Sequence, residues 1–374
     1  MKVVPYTWRR VAQQRSRISH PGRYVGYAAL WLIGSMALCT HSVVSQGTLQ
    51  SDTSVGKPSE TACLTAAAPA NSPRWADYLL LKHKAWAWFD QLDVDPIELL
   101  KHGVKGKKKL AEILDAYLSL YQHTTDAMAR DHIQQRVAQL ARQTQQPEYH
   151  NMLVNSDTEF LQNSMSYFRV LWLLEHFGQE TTAYRQQLLA VKPRMDEHLK
   201  RRGPWQRAMF AEYYARFGLE KPPALSSLPD GVIPQRLPLA QYDRDKAYYL
   251  THEVFVAFDY GLQRTQHSFT PEDLAYLRAV LPVLATASRQ QHDQDLLAEI
   301  LLCMTYLGWQ TAQEYCQGIN YLLDSQNPNG TWGNYEALRN AVGQYLDQHV
   351  YLHTTLVVMK ALLAAYEGGW PSSR

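Results

Sequence analysis

The sequence predicts an all-α protein, and two observations carry that reading. Apolar residues recur at three- and four-residue spacing through most of the chain after residue 74, and no segment alternates with period two for long. Four of the most apolar stretches also end on a glycine, the residue best suited to the left-handed backbone that closes a helix.

The N-terminus stands apart. Lys2, Arg9, Arg10, Arg15, Arg17 and Arg23 precede the first acid, Asp52, and "YVGYAALWLIGSMALCTHSVV" (residues 24–44) follows them. A basic flank, an apolar core and then small residues make an export signal over residues 1–45, with Val43 and Ser45 fitting cleavage after Ser45. An uncleaved N-terminal anchor is the alternative, and both place the rest of the chain in the periplasm or outside the cell. Residues 46–73 are small, polar and proline-containing, as a flexible linker is.

The folded domain is expected over residues 74–370. Helical patterns follow in order: "WADYLLLKHKAWAWFDQL", "KKLAEILDAYLSLYQHT", "DHIQQRVAQLARQT", "TEFLQNSMSYFRVLWLLEHFG", "AYRQQLLAVKPRMDEHLKR" and "PWQRAMFAEYYARFG". Residues 219–241 carry five prolines and either divide two subdomains or form a long loop over one. Helices resume with "DKAYYLTHEVFVAFDYG", "PEDLAYLRAVLPVLATASRQ", "QDLLAEILLCMTYLG", "QTAQEYCQGINYLLDSQ" and "YLHTTLVVMKALLAAYEG". Thr270-Pro271-Glu272-Asp273 is a helix start, with a capping hydroxyl, a proline in the first turn and acids at the positive end of the helix dipole.

The four closing glycines are Gly178, Gly261, Gly308 and Gly368, and nine residues before them stand Arg169, His252, Glu299 and Met359. Polar residues thus gather in the N-terminal halves of the most apolar helices. A set of inner helices whose N-terminal ends open into a pocket, each preceded by a less apolar outer helix, would produce that pattern.

Between the last two helices, "YLLDSQNPNGTWGNY" (Tyr321 to Tyr335) resembles the Gln-Trp repeat of the α/α-toroid proteins, the terpenoid cyclases and protein prenyltransferase β subunits. There "LLxxQxxDGxWG" links an outer helix to the next inner one, and Leu322, Leu323, Gln326, Asn327, Gly330, Trp332 and Gly333 match it. The following helix resembles the family's "YHTxxxLxGL" inner helix, which implies a zinc-ligand position at His353. The resemblance implies an α/α toroid. Only one clear copy of the motif is present, and the prenyltransferase Asp-x-Cys pair and the acidic run of the cyclases are both missing.

Candidate chemistry clusters at a few residues. His349 and His353 lie one helical turn apart, so both could hold a divalent metal such as zinc with a third ligand from His252, Glu299, Asp295 or Asp259; the alternative is a solvated His349 and a hydrogen-bonded core His353. His252 beside Glu253 could act as a general base. Arg169 could pair with Asp259 or bind an anionic substrate group. Asp295 and Glu299, one turn apart, suit paired-carboxylate work on a glycosidic bond. Asn163, Tyr167, Arg169, Tyr249 and His252 would instead suit proton abstraction beside a carboxylate.

A net charge of +2, concentrated in the N-terminal head, excludes a nucleic-acid-binding surface on the folded part, and only the N-terminal segment would meet a membrane. Cys303 and Cys316 either pair in an oxidising compartment or stay as buried thiols. The expectation is an exported enzyme with a pocket lined by Arg169, His252, Asp295, Glu299, His349 and His353, acting by acid/base or metal-assisted chemistry on a saccharide or other small molecule. The competing class is a non-catalytic toroid that binds a ligand or a protein.

Overall fold

The structure, a computed structural model, describes residues 72, 74–92, 104–225, 231–263, 269–335 and 347–368. Every regular element among them is helical. The long helices are α1 (Trp75–Asp90), α2 (Val104–His123), α3 (Ala127–Gln143), α4 (Asp157–His176), α5 (Thr182–Leu199), α6 (Pro204–Arg216), α7 (Arg244–Ala257), α8 (Pro271–Gln290), α9 (Gln294–Tyr306), α10 (Gln313–Asp324) and α11 (Asp347–Glu367). The export segment expected at 1–45 lies outside the described residues, as does the linker apart from Ser72. Among the described residues no helix is long and apolar enough to cross a membrane.

Local chemistry accounts for the boundaries. Thr270 and Asp273 form a full capping box at the start of α8, and Ser156 with Glu159 forms another at α4, each satisfying two orphan amides. Gly178, Gly261 and Gly308 take φ of +67°, +95° and +78°, the conformation that ends a helix and that a side chain resists. The chain around Gly261 goes further, since Asp259 and Tyr260 are also left-handed and turn the backbone sharply after α7.

Burial separates two kinds of helix. Every residue of α9 is buried, whereas α8 buries a stripe of Leu277, Val280, Leu281, Leu284, Ala285 and Ser288 and exposes its other face. The α9 kind packs in a closed circuit. α2 contacts α4, α6 contacts α7, α7 contacts α9, α9 contacts α11, and α11 returns to α2. The remaining step, α4 to α6, is made by Phe168 packing on Phe210, Tyr213 and Tyr214 at ring separations of 5.2, 5.4 and 6.0 Å. Outside this circuit α3 covers α2, α5 covers α4, α8 and α10 cover α9, and α1 covers α11.

Neighbours in the circuit run parallel. Arg244 of α7 meets Asp295 near the start of α9, Thr251 meets Glu299 further along, and beyond the end of α7 the Tyr260 carbonyl meets Tyr306. Parallel helices need a return segment between them, and the outer helices supply it. Between α6 and α7 the return is instead the proline-rich stretch. Its described parts lie over the core, where Leu219, Leu225 and Ile233 are buried, and the Glu253 carboxylate accepts the amides of Val232 and Ile233 at 2.7 and 2.9 Å.

The Gln-Trp stretch fastens the last helices together. Trp332 is fully buried, its indole N–H donating to the Leu322 carbonyl of α10 at 2.7 Å, while its amide donates to Thr355 of α11. Gln326 donates to the Leu81 carbonyl of α1, and Gly330 lies so close to the Lys84 carbonyl that a Cβ would sit 2.5 Å from it. Cys303 is a free, buried thiol and Cys316 is disulfide-bonded, so these two do not pair. The partner of Cys316 lies outside the described residues.

Candidate functional site

The closed circuit surrounds a cavity of about 170 Å³, and each of its six helices contributes to the wall. Helical spacing delivers the side chains. Lys108, Glu112, Asp115 and Ser119 recur every three or four residues on α2; Tyr248, His252 and Phe255 do so on α7; Glu299, Leu302 and Tyr306 do so on α9. α4 supplies Ser166 and Arg169, α6 supplies Trp205, Met209 and Tyr213, and α11 supplies His353 and Lys360.

One end of the cavity carries the acids. His353 stands between two carboxylates, with Nδ1 3.0 Å from Glu112 and Nε2 3.5 Å from Asp295. Burial alone would lower the pKa of this imidazole, but Asp295 and Glu112 outweigh it and push it up to about 9. Burial acts on Glu112 in the opposite direction, and Lys108, 3.2 Å away, together with His353 holds it down at about 2. Around Glu299 the cations His353 and Arg244 weigh less than burial and Asp295. The Glu299 carboxylate accepts a 2.6 Å hydrogen bond from Thr251, and burial followed by the charge of Asp295 pushes it up to about 8. Asp295 is itself ion-paired to Arg244 at 3.1 Å.

His252 lies beside Glu299, with Nδ1 3.7 Å from its carboxylate and 2.9 Å from the Tyr248 carbonyl. Burial among Trp205, Tyr248 and Phe255 pushes its pKa down to about 3, so the ring is neutral. Donation from Nδ1 to the carbonyl leaves Nε2 with its lone pair.

The other end carries cations. Asp115 is ion-paired to Arg169 and lies 3.3 Å from the Lys360 amine. The Arg169 guanidinium also covers the rings of Trp172 and Tyr260 at 4.5 and 4.9 Å.

Arg169, His252, Glu299 and His353, expected as pocket residues, therefore line one cavity, and Asp295 touches His353 from just behind the wall. Several expected pairings are corrected. The carboxylate next to His252 is Glu299, because Glu253 turns outward to the amides of residues 232–233. Arg169 pairs with Asp115, and Asp259 is taken by Arg216. Tyr167 donates to the Tyr184 carbonyl of α5, and it is Tyr248 that reaches the cavity where Tyr249 was expected, since a one-residue step rotates a helical side chain by 100°. Asn163 is buried but does not line the cavity.

His349 falls in the first turn of α11, and its side chain is outside the described residues. Both nitrogens of His353 face carboxylates, the arrangement of a doubly protonated ring with no lone pair to offer a metal. Among the described residues no group of three or more His, Cys, Asp or Glu side chains gathers as a metal site requires. The α2 contribution had no sequence expectation at all. Its signal was present, since "KKLAEILDAYLS" places Lys108, Glu112, Asp115 and Ser119 in register with one helix face.

The fold and site define an all-helical protein with a central cavity that holds charged groups of both signs. The chain belongs to the family described as a domain of unknown function (DUF6895), whose model matches residues 82–363. No curated protein and no solved structure matches it.

Proposed function

We propose that this is an exported α/α-toroid enzyme whose central cavity performs general acid/base chemistry on a saccharide-type substrate. The circuit of parallel inner helices with outer helices returning between them supports the toroid reading. The basic head with its apolar stretch supports export, as does the disulfide at Cys316, a bond that persists in oxidising compartments.

One observation carries the chemistry. Glu112 and Glu299 line the same cavity, yet the first is ionised down to about pH 2 and the second keeps its proton to about pH 8. Pairs of titratable groups pushed apart by their surroundings are how a site holds an acid and a carboxylate at one pH. In this scheme Glu299 gives its proton to the leaving oxygen of a glycosidic bond, the Glu112 carboxylate stabilises the positive charge that develops on the sugar, and a water then adds to the anomeric carbon and returns a proton to Glu299. Trp205 and Tyr248 offer ring faces for a sugar to stack on.

A second reading, a non-catalytic binding toroid, has its own observation: Glu112, Asp115, His353 and Lys360 are all paired with one another or with neighbours. Release of reducing ends from a panel of oligosaccharides separates the two. The enzyme reading expects cleavage of at least one member, lowered on the order of 10²–10⁴-fold in Glu299→Gln, the usual weight of a general acid. Binding of a sugar without cleavage, equal in wild type and variant, would establish the binding toroid instead.

A further inference from the structure

The cationic end of the cavity is out of balance in a way the acid/base reading does not use. Arg169 and Lys360 converge on a single carboxylate, Asp115, and one acid cannot neutralise two cations. The nearest alternative, Asp259, has its carboxylate on Arg216. What remains to the two cations is aromatic: Arg169 covers Trp172 and Tyr260, and the Lys360 amine stands 5.8 Å from the Tyr260 ring. The Tyr213 hydroxyl is a second sign of a missing partner. It is 3% exposed, lines the cavity and lies against Arg169, whose guanidinium can only donate to it, so the Tyr213 O–H finds no acceptor among the described residues.

We infer that Arg169, Lys360 and Tyr213 form a seat for the carboxylate of a small, singly charged ligand. An incoming carboxylate would turn the Arg–Asp–Lys triad into two matched ion pairs and give the Tyr213 hydroxyl an acceptor. Burial already lowers the pKa of the Lys360 amine even with Asp115 as its ion-pair partner, so a second anion restores what desolvation costs it. Size narrows the ligand further. A cavity of about 170 Å³ holds on the order of a dozen water-sized atoms at roughly 10–15 Å³ each. The distance between the two ends agrees: Glu112 and Asp115 are three residues apart on α2, and His353 and Lys360 seven apart on α11, a rise of roughly 5–10 Å. One acidic sugar unit spans that, with its carboxylate at Arg169 and Lys360 and its glycosidic carbon near Glu299.

The sugar part of this assignment rests on the saccharide reading above, whereas the carboxylate seat does not. Calorimetric binding of D-glucuronate, D-glucose, glucose 6-phosphate and benzoate to the purified protein tests the two separately. Glucuronate is expected to bind at least 10-fold more tightly than glucose, and Lys360→Met, which leaves the Arg169–Asp115 pair intact, should remove most of that preference. Asp115→Asn should shift affinity the other way, tightening glucuronate on the order of 10-fold, because it frees both cations; a merely structural role for Asp115 would not tighten anything. Benzoate binding without binding of glucuronate or glucose would keep the seat and defeat the saccharide reading. Preference for glucose 6-phosphate over glucuronate would replace the carboxylate by a phosphate and overturn the assignment. Equal affinity for glucose and glucuronate, or no binding of any of the four, would overturn it too.

Discussion

Glu112 on α2 and Glu299 on α9 are the same side chain, brought to one cavity by the two helices that flank α11, and they end in opposite charge states. Burial pushes both toward the neutral form. What separates them is the neighbour. Glu112 has Lys108 one turn before it on its own helix and His353 across the gap. Glu299 has a hydroxyl and a neutral imidazole, and the charge that acts on it most strongly is another acid, Asp295, which outweighs His353 and Arg244. Desolvation is a shared background, and the specific partner decides which carboxylate serves as the acid.

The largest way to break that contrast is to remove the cation on which one wall depends. His353→Ala takes away a cation that Glu112 and Asp295 share, and because that ion pair is partly exposed and Lys108 and Arg244 stay in place, the cost is about 1–2 kcal/mol. Chemical denaturation at pH 7 should show that loss, and His353→Lys, which restores a cation, should recover part of it.

The next effect is on pH dependence, and its direction follows from the shifts. Glu299 and His353 both have folded pKa values above their unfolded ones, so their contribution is complete at low pH. It is lost as pH rises, from 4.5 to about 8 for Glu299 and from 6.5 to about 9 for His353. Glu112 and His252 are shifted down, so theirs is present above 4.5 and 6.5 and is lost as pH falls toward about 2 and about 3. The melting temperature should therefore fall between pH 7 and 9, and Glu299→Gln should flatten that alkaline limb while leaving the acid limb in place. An unchanged alkaline limb in the variant would show that Glu299 is ionised at neutral pH.

The smallest change sharpens the comparison. Thr251→Val deletes the one hydrogen bond that favours the Glu299 carboxylate, so its pKa should rise further, with a stability change of about 1 kcal/mol at pH 9 and less at pH 6. Infrared absorption of the protonated carboxyl against pH reads the shift directly.

Much of the fold was legible in local chemistry. Three- and four-residue periodicity gave the helices, Thr270 and Asp273 marked the start of α8, and Gly178, Gly261 and Gly308 marked ends because only a left-handed residue fits there. Polar residues inside apolar helices also pointed to the cavity, since a helix buried on every side can place Glu299 or Arg169 only where something faces it. That logic failed for α2, whose cavity face is interleaved with further lysines such as Lys107 and Lys109, so Glu112 and Asp115 did not stand out.

Pairing was beyond the reach of sequence spacing. Glu253 adjoins His252 in the chain but faces away from it, because successive helical residues diverge by 100°, while Glu299 reaches it from another helix. Asp259 is the partner the sequence suggests for Arg169, but the sharp turn at Asp259 and Tyr260 brings it to Arg216, and Asp115 reaches Arg169 from α2. The sequence by itself therefore determined which helices form, where they stop and which faces carry charge, since these depend on backbone sterics and residue order over a few turns. Only the tertiary structure decided which charge meets which, and with it which carboxylate keeps its proton, because a pKa in a buried cavity is set by side chains that arrive from separate helices.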